Sequence, residues 1–256
     1  MCNRMAMAWD KMSDLEYYYT AEYSGEVDGM NENEGEWLPC YHTNAYDHMA
    51  TPVITSRDPG KIQLFHWGLI PHRTSSLQDA LSIRQSTVMC RSEDMYDKYA
   101  YGELAKAGKR CLIPVSGYFE YFWVDAKGKT KIPYYIFLKD RPFFSIGGLY
   151  SRWTDKTSGK DFFTYTVCTT AANEFAAKIH NQGQRMPVIL QTQEAERAWL
   201  NPTITKDDVV DLCRAIPDEF MAAHTVSRVI TSKDNNVPEA IQPFSYTASS
   251  SPSLFE

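Results

Sequence analysis

Runs of β-branched and aromatic residues, each closed off by turn residues, fill the middle of this 256-residue chain and commit it to sheet. Residues 62–67 (IQLFHW) run into Gly68 and then Pro71. Residues 110–115 (RCLIPV) lead into 117–124 (GYFEYFWV), 125–128 (DAKG) read as a turn, and 133–138 (PYYIFL) as the returning strand. Residues 142–150 (PFFSIGGLY) and 162–168 (FFTYTVC) flank another turn at 157–159. Helical patterns are fewer: 97–107, 173–180 with Phe175 and Ile179 four apart on one face, 194–200, and 206–215 opened by Thr205 as a cap. No βαβ alternation is present. The pattern predicts one α+β domain over residues 1–245, a curved, mostly antiparallel β-sheet or open barrel with flanking short helices, followed by a flexible tail at 246–256.

The formal charge of −6 has a local origin. Residues 21–36 carry six acids (Glu22, Glu26, Asp28, Glu32, Glu34 and Glu36) and no base, and read as a solvated loop. The remainder balances 26 bases against 26 acids, so one face can be basic and nucleic acid is not excluded as a partner. The six cysteines form no CxxC pair and no zinc-type spacing with histidine, which predicts reduced thiols and no metal site. Without an 18-residue apolar run or a leader pattern, the expectation is a cytoplasmic protein with no membrane contact, acting as a monomer.

Cys2 follows the initiator Met1, and a small second residue generally permits Met removal. The chain would then begin with a thiol and an α-amine on adjacent carbons. Their reference pKa values, about 8.5 and about 7.7–8.0, leave both partly nucleophilic near neutrality. An aldehyde meeting this pair forms an imine with the amine, and the sulfur then closes a thiazolidine ring. Taken alone, Cys2 is a weak signal, and an incidental second residue is the commoner case.

Its context is more specific. Met1-Cys2-Asn3-Arg4 resembles the MCxR opening of the SRAP (SOS response-associated peptidase) family. Trp67-Gly68-Leu69-Ile70-Pro71 is similar to its WGL.P segment, Arg91-Ser92-Glu93 to the end of its NARSE motif, and residues 114–121 (PVSGYFEY) to P..G.YEW. Residues 179–187 (IHNQGQRMP) resemble IH.RMP with a longer gap between His180 and Arg185, and 226–229 (VSRV) and 241–243 (IQP) resemble two closing segments. The seven segments occur in order from residue 2 to about 243.

The resemblance implies the SRAP fold and a DNA-lesion protein that needs no cofactor. It would bind single-stranded DNA at abasic sites and bond to them reversibly through Cys2 once Met1 is removed. On this reading Glu120, set among aromatics that raise a carboxyl's pKa, shuttles protons. His180, ending a short helix whose dipole favours its protonated form, protonates the departing sugar oxygen. Arg4, Arg91 and Arg185 clamp phosphates, and Trp67 stacks on a base or sits in the core. Met89 replaces the family's asparagine and cannot supply an amide's hydrogen bonds; Asn44 is the residue that would compensate. Two other readings stay open: a non-covalent DNA-binding relative, and an N-terminal cysteine hydrolase of small amides, for which no oxyanion site is visible.

Overall fold

The computed structural model describes residues 2–24, 37–232 and 235–246. The strands are β1 (Arg4–Met7), β2 (Glu22–Tyr23), β3 (Cys40–Asn44), β4 (Ala50–Thr55), β5 (Lys61–Trp67), β6 (Met89–Arg91) and β7 (Arg110–Val115). They continue as β8 (Gly117–Trp123), β9 (Lys131–Leu138), β10 (Phe144–Thr154), β11 (Asp161–Ala171), β12 (Arg185–Pro187), β13 (Ile189–Leu190) and β14 (Met221–Thr225). Helices are short: α1 (Met12–Tyr19), α2 (Leu77–Ile83), α3 (Gly102–Lys106), α4 (Glu174–Ile179), α5 (Gln193–Leu200) and α6 (Lys206–Leu212).

The expected α+β domain is present, and its barrel is closed rather than open. Strands β11, β10, β7, β4 and β5 pair in that order, and β5 returns to β11 in parallel, with His66 opposite Thr164 and Trp67 opposite Tyr165. Closure leaves these five strands without a free edge. The turn of the wall requires small residues: a Cβ on Gly148 would lie 2.6 Å from the Thr166 carbonyl oxygen and 2.7 Å from Ile113 Cδ1. A second sheet runs β14-β9-β8-β1-β3, and Met5, Tyr118 and Ile136 from it share one apolar core with the barrel's Ile113, Ile146 and Tyr165.

Within that second sheet the start of the chain is a central strand. β1 pairs antiparallel with both neighbours, Met5 lying opposite Thr43 of β3 and Tyr118 of β8. Met5, Ala6 and Met7 are buried. Chain ends commonly fray; here two ladders and an apolar strand hold the terminus in the interior.

Several local expectations change. The pattern over 97–107 becomes consecutive three-residue turns before α3, because Gly102 packs directly against the Tyr96 carbonyl and Tyr96 and Tyr101 must both reach the core. α6 stops at Leu212, and its start carries the Thr205–Asp208 capping box. Residues 22 and 23 of the acidic segment form a strand against Lys61 and Ile62; the rest of that segment, from 25 to 36, and residues 247–256 lie outside the described residues. Packing continues to Tyr246, whose hydroxyl donates to the Val226 carbonyl. All six cysteines are free and buried. No described helix is long and apolar enough to cross a membrane.

Beside β1, His42 on β3 is 2% exposed. Burial, with help from the Arg4 cation, holds its imidazole down to about 4. The folded group stays neutral while the unfolded one, at about 6.5, takes up a proton, so its contribution is present above pH ~6.5 and is lost as pH falls to about 4. Relative to His42→Leu, the wild type is expected to lose about 3 kcal/mol between those limits. Urea midpoints measured across the range check this; parallel pH profiles for the two proteins would contradict it.

Candidate active site

β1 carries Cys2 to the edge of β8, and β8 carries Glu120 on the same side as Tyr118. α4 ends at His180, which is its C-cap and turns its ring inward. Three residues far apart in sequence therefore meet. Their Sγ, carboxylate oxygen and ring nitrogen all lie within 4.8 Å of one another, and the residues are 1%, 2% and 5% exposed. His180 Nδ1 is 3.6 Å from Glu120 Oε1.

The backbone carbonyl of Arg185 faces both Cys2 and His180. Cys2 Sγ donates to it at 3.8 Å, and His180 Nδ1 lies 2.9 Å away. The same Nδ1 also lies 3.3 Å from the Arg185 amide N–H, so both backbone groups of Arg185 face the imidazole. Burial pushes the Cys2 thiol well up, and the Glu120 charge and a hydrogen bond to its carboxylate push it further. The thiol therefore holds its proton, with the Glu120 side chain beside it. Tyr118 is 1% exposed, and burial raises its phenol well above the ordinary range, with Cys2 and Glu120 adding to the effect. Its hydroxyl has no hydrogen-bond partner among the described residues.

The long connection after His180 closes one side. Asn181 Oδ1 accepts from the Trp123 amide at 3.0 Å while its Nδ2 donates to the Trp123 carbonyl at 2.9 Å. A Cβ on Gly183 would lie within 2.5 Å of His180 Nε2 and Cε1. The extra residues are thus pinned to the end of β8 and packed against the imidazole.

Glu120 and His180 open onto a groove of about 830 Å³ whose walls include Arg4, Trp123, Lys129, Lys131 and Arg228. The Lys131 ammonium lies 4.2 Å from the centre of the Trp123 ring. Of these groups the sequence singled out only Arg4. Lys129 and Lys131 flank the tip of the β8–β9 hairpin, where Asp125 accepts three backbone N–H groups and Gly128 takes φ +63°, and a turn signal alone does not reveal what the tip faces. Arg228 sits inside the VS..V segment, which carried the resemblance without marking Arg228 as a site residue.

Other predicted residues lie elsewhere. Trp67 is fully buried, donates to the Val88 carbonyl at 2.8 Å and stacks on Tyr165, so it is a core residue and cannot stack on a base. The Arg185 guanidinium is clasped by both oxygens of Glu93 and donates to the Thr169 carbonyl at 2.7 Å, so its charge is already paired rather than open to phosphate. Arg91 is exposed and lines a separate cavity of about 370 Å³ together with Met89. The Met89 carbonyl accepts from Tyr101. Asn44 does not compensate for it, because the Asn44 side chain caps the turn at Ala45–Asp47 by accepting from the Tyr46 amide.

Gly183→Ala is expected to leave the sheet intact, with a Tm change of no more than roughly 2–4 °C, and to displace the His180 ring. Histidine-selective NMR of the imidazole resonances reads the displacement; unchanged resonances would show that the ring has room for a methyl group.

The family model "SOS response associated peptidase (SRAP)" matches residues 1–233. The abasic site processing protein YoqW of Bacillus subtilis is 34% identical over 210 residues, covering 82% of this chain and 88% of the relative. The abasic site processing protein HMCES of Gallus gallus is 30% identical, covering 82% and 68%. A solved structure from Bacteroides thetaiotaomicron superposes with TM-score 0.84 at 34% identity, covering 95% of this chain and all of the other. One from Bordetella bronchiseptica shares the fold, with TM-score 0.67 at 23% identity, over 88% of this chain and all of that one.

Proposed function

The chain belongs to the SRAP family, and we propose that it processes abasic sites in DNA by a reversible covalent bond to Cys2. The observation that carries this reading is the meeting of Cys2, Glu120 and His180 at the head of a groove lined with cations. That its curated relatives are named abasic site processing proteins supports it.

Met1 must leave first, because an amide nitrogen is not a nucleophile toward an aldehyde. The ring-closed sugar of an abasic site then opens: Glu120 takes the proton of the anomeric hydroxyl as His180 gives one to the departing ring oxygen, and the proton passes back from Glu120 to His180, 3.6 Å away. The freed aldehyde carbon takes the Cys2 amine, and loss of water leaves an imine. Cys2 sulfur adds to the imine carbon while its proton passes to Glu120 and on to the former imine nitrogen, which closes the thiazolidine. The same transfers in reverse release the DNA. The raised thiol favours this order: the amine reacts first, and sulfur gives up its proton only as its new bond forms.

Arg4, Lys129, Lys131 and Arg228 supply phosphate contacts, and the Trp123 ring a stacking face. One chain holds all the groups required, so a monomer suffices. Six free buried thiols support a reducing, cytoplasmic setting. Met89 lines a different cavity from Glu120 and His180, which favours the covalent reading over a merely DNA-binding relative.

Intact-mass spectrometry after incubation with single-stranded DNA bearing one abasic site tests the proposal. The processed wild type is expected to gain the strand's mass less one water, Cys2→Ala to gain nothing, and Glu120→Gln to react about 10²-fold more slowly. Absence of an adduct with processed wild type would overturn it. Removing the charge of Lys129 or Lys131 is expected to lower the slope of log affinity against log salt by about 0.7 each. Binding titrations at several salt concentrations measure this, and an unchanged slope would take these lysines out of the interface.

A further inference from the structure

The three groups proposed for chemistry on DNA are also three donors of the zinc class. Thiolate, imidazole and carboxylate are the ligands that tetrahedral Zn²⁺ takes from proteins. Two ligand atoms on such an ion at 2.0–2.1 Å are separated by about 3.4 Å, and His180 Nδ1 and Glu120 Oε1 are already 3.6 Å apart. Cys2 Sγ completes a triangle whose sides are all within 4.8 Å, so contraction of about an ångström along its longest side brings it to bonding geometry. All three residues are more than nine-tenths buried, and two of them line a groove open to solvent. The Tyr118 hydroxyl, buried without a hydrogen-bond partner among the described residues, lies close enough to feel the charge of both Cys2 and Glu120. No other group of three such donors occurs among the described residues.

We propose that Cys2, Glu120 and His180 bind a thiophilic divalent cation, Zn²⁺ foremost, and that the bound ion reversibly blocks the site. The thiol gives up its proton as the sulfur–metal bond forms. The imidazole binds as its neutral Nε2–H tautomer, with Nδ1 exchanging its contacts with the Arg185 backbone for the metal. Removal of Met1 adds a fourth donor. The α-amine and thiolate of an N-terminal cysteine close a five-membered chelate ring on the ion, leaving neither atom free for an aldehyde. That fourth donor rests on the N-terminal processing proposed above; the other three do not.

Cobalt reports on this directly. Chelator-treated, processed protein without DNA is titrated with Co²⁺ and followed by absorption spectroscopy. A thiolate-to-cobalt charge-transfer band that saturates at one equivalent is expected, with the strong visible bands of four-coordinate cobalt, and excess Zn²⁺ should bleach both. Cys2→Ala should lose the charge-transfer band, and His180→Asn should weaken cobalt affinity about tenfold or more. Zn²⁺ should suppress the DNA adduct and a chelator restore it. No charge-transfer band in a protein whose Cys2 still reacts with abasic DNA would overturn the metal site while leaving the covalent reading intact. A band that persists in Cys2→Ala would assign cobalt to another cysteine and overturn it as well. If Cys2→Ala fails to fold, as judged by circular dichroism, X-ray absorption on the cobalt-loaded wild type decides: one sulfur among nitrogen and oxygen donors supports the site, and none or several refutes it.

Discussion

The pairing of β1 between β3 and β8 is the constraint on which the site depends. A terminal residue ordinarily samples many positions, and holding it costs conformational entropy at every bond. Here the cost is met by two backbone ladders and the burial of Met5, Ala6 and Met7, so that Cys2 leaves the sheet at a fixed point beside Glu120. The barrel closed by β5 and β11 in turn provides the apolar core against which that sheet packs. Loss of the β1 ladder would take Met5 and Met7 out of the core shared with the barrel and would separate Cys2 from Glu120 and His180.

The environment around Cys2 works against spontaneous thiolate formation. Burial and a neighbouring carboxylate both keep the proton on sulfur. Such a thiol is protected from adventitious oxidation and alkylation, because the thiolate is the reactive form. In the proposed mechanism reactivity then depends on substrate: an imine formed on the neighbouring amine would present the electrophilic carbon to sulfur, with Glu120 as the proposed proton acceptor. The Arg185 backbone ties the arrangement together, since its carbonyl accepts from the thiol and its amide N–H donates to the imidazole Nδ1. Its own position is fixed by the Glu93 and Thr169 contacts of the Arg185 side chain. An arginine expected to grip DNA is, in the folded chain, engaged with Glu93 and Thr169, and its carbonyl faces Cys2 and His180.

The strands were legible in the sequence because β-branched and aromatic runs with turn residues between them report local preference directly. The convergence of Cys2, Glu120 and His180 was legible only through motif order, since no local pattern says that β1 inserts between β3 and β8. Trp67 shows where motif reading leaves a choice open: a tryptophan beside Gly68 and Pro71 looks the same whether it points to solvent or, as here, into a barrel against Tyr165. Lys129, Lys131 and Trp123 were missed for a related reason. Their hairpin was visible, but its orientation toward the groove is fixed by Asn181, a residue fifty-eight positions from Trp123 whose contacts are tertiary. The extended loop between His180 and Arg185, which sequence alone marks only as an insertion, supplies that contact.

The central claim is that one residue offers nitrogen and sulfur to the same carbon. Peptide mapping of the adduct formed with an abasic strand, after nuclease trimming and treatment with a thiol alkylating agent under denaturing conditions, tests it most directly. The account predicts an N-terminal peptide that begins at Cys2, carries the sugar remnant and resists alkylation because its sulfur is held in the ring. A remnant on any lysine, or on a Cys2 peptide whose thiol still alkylates, would contradict it.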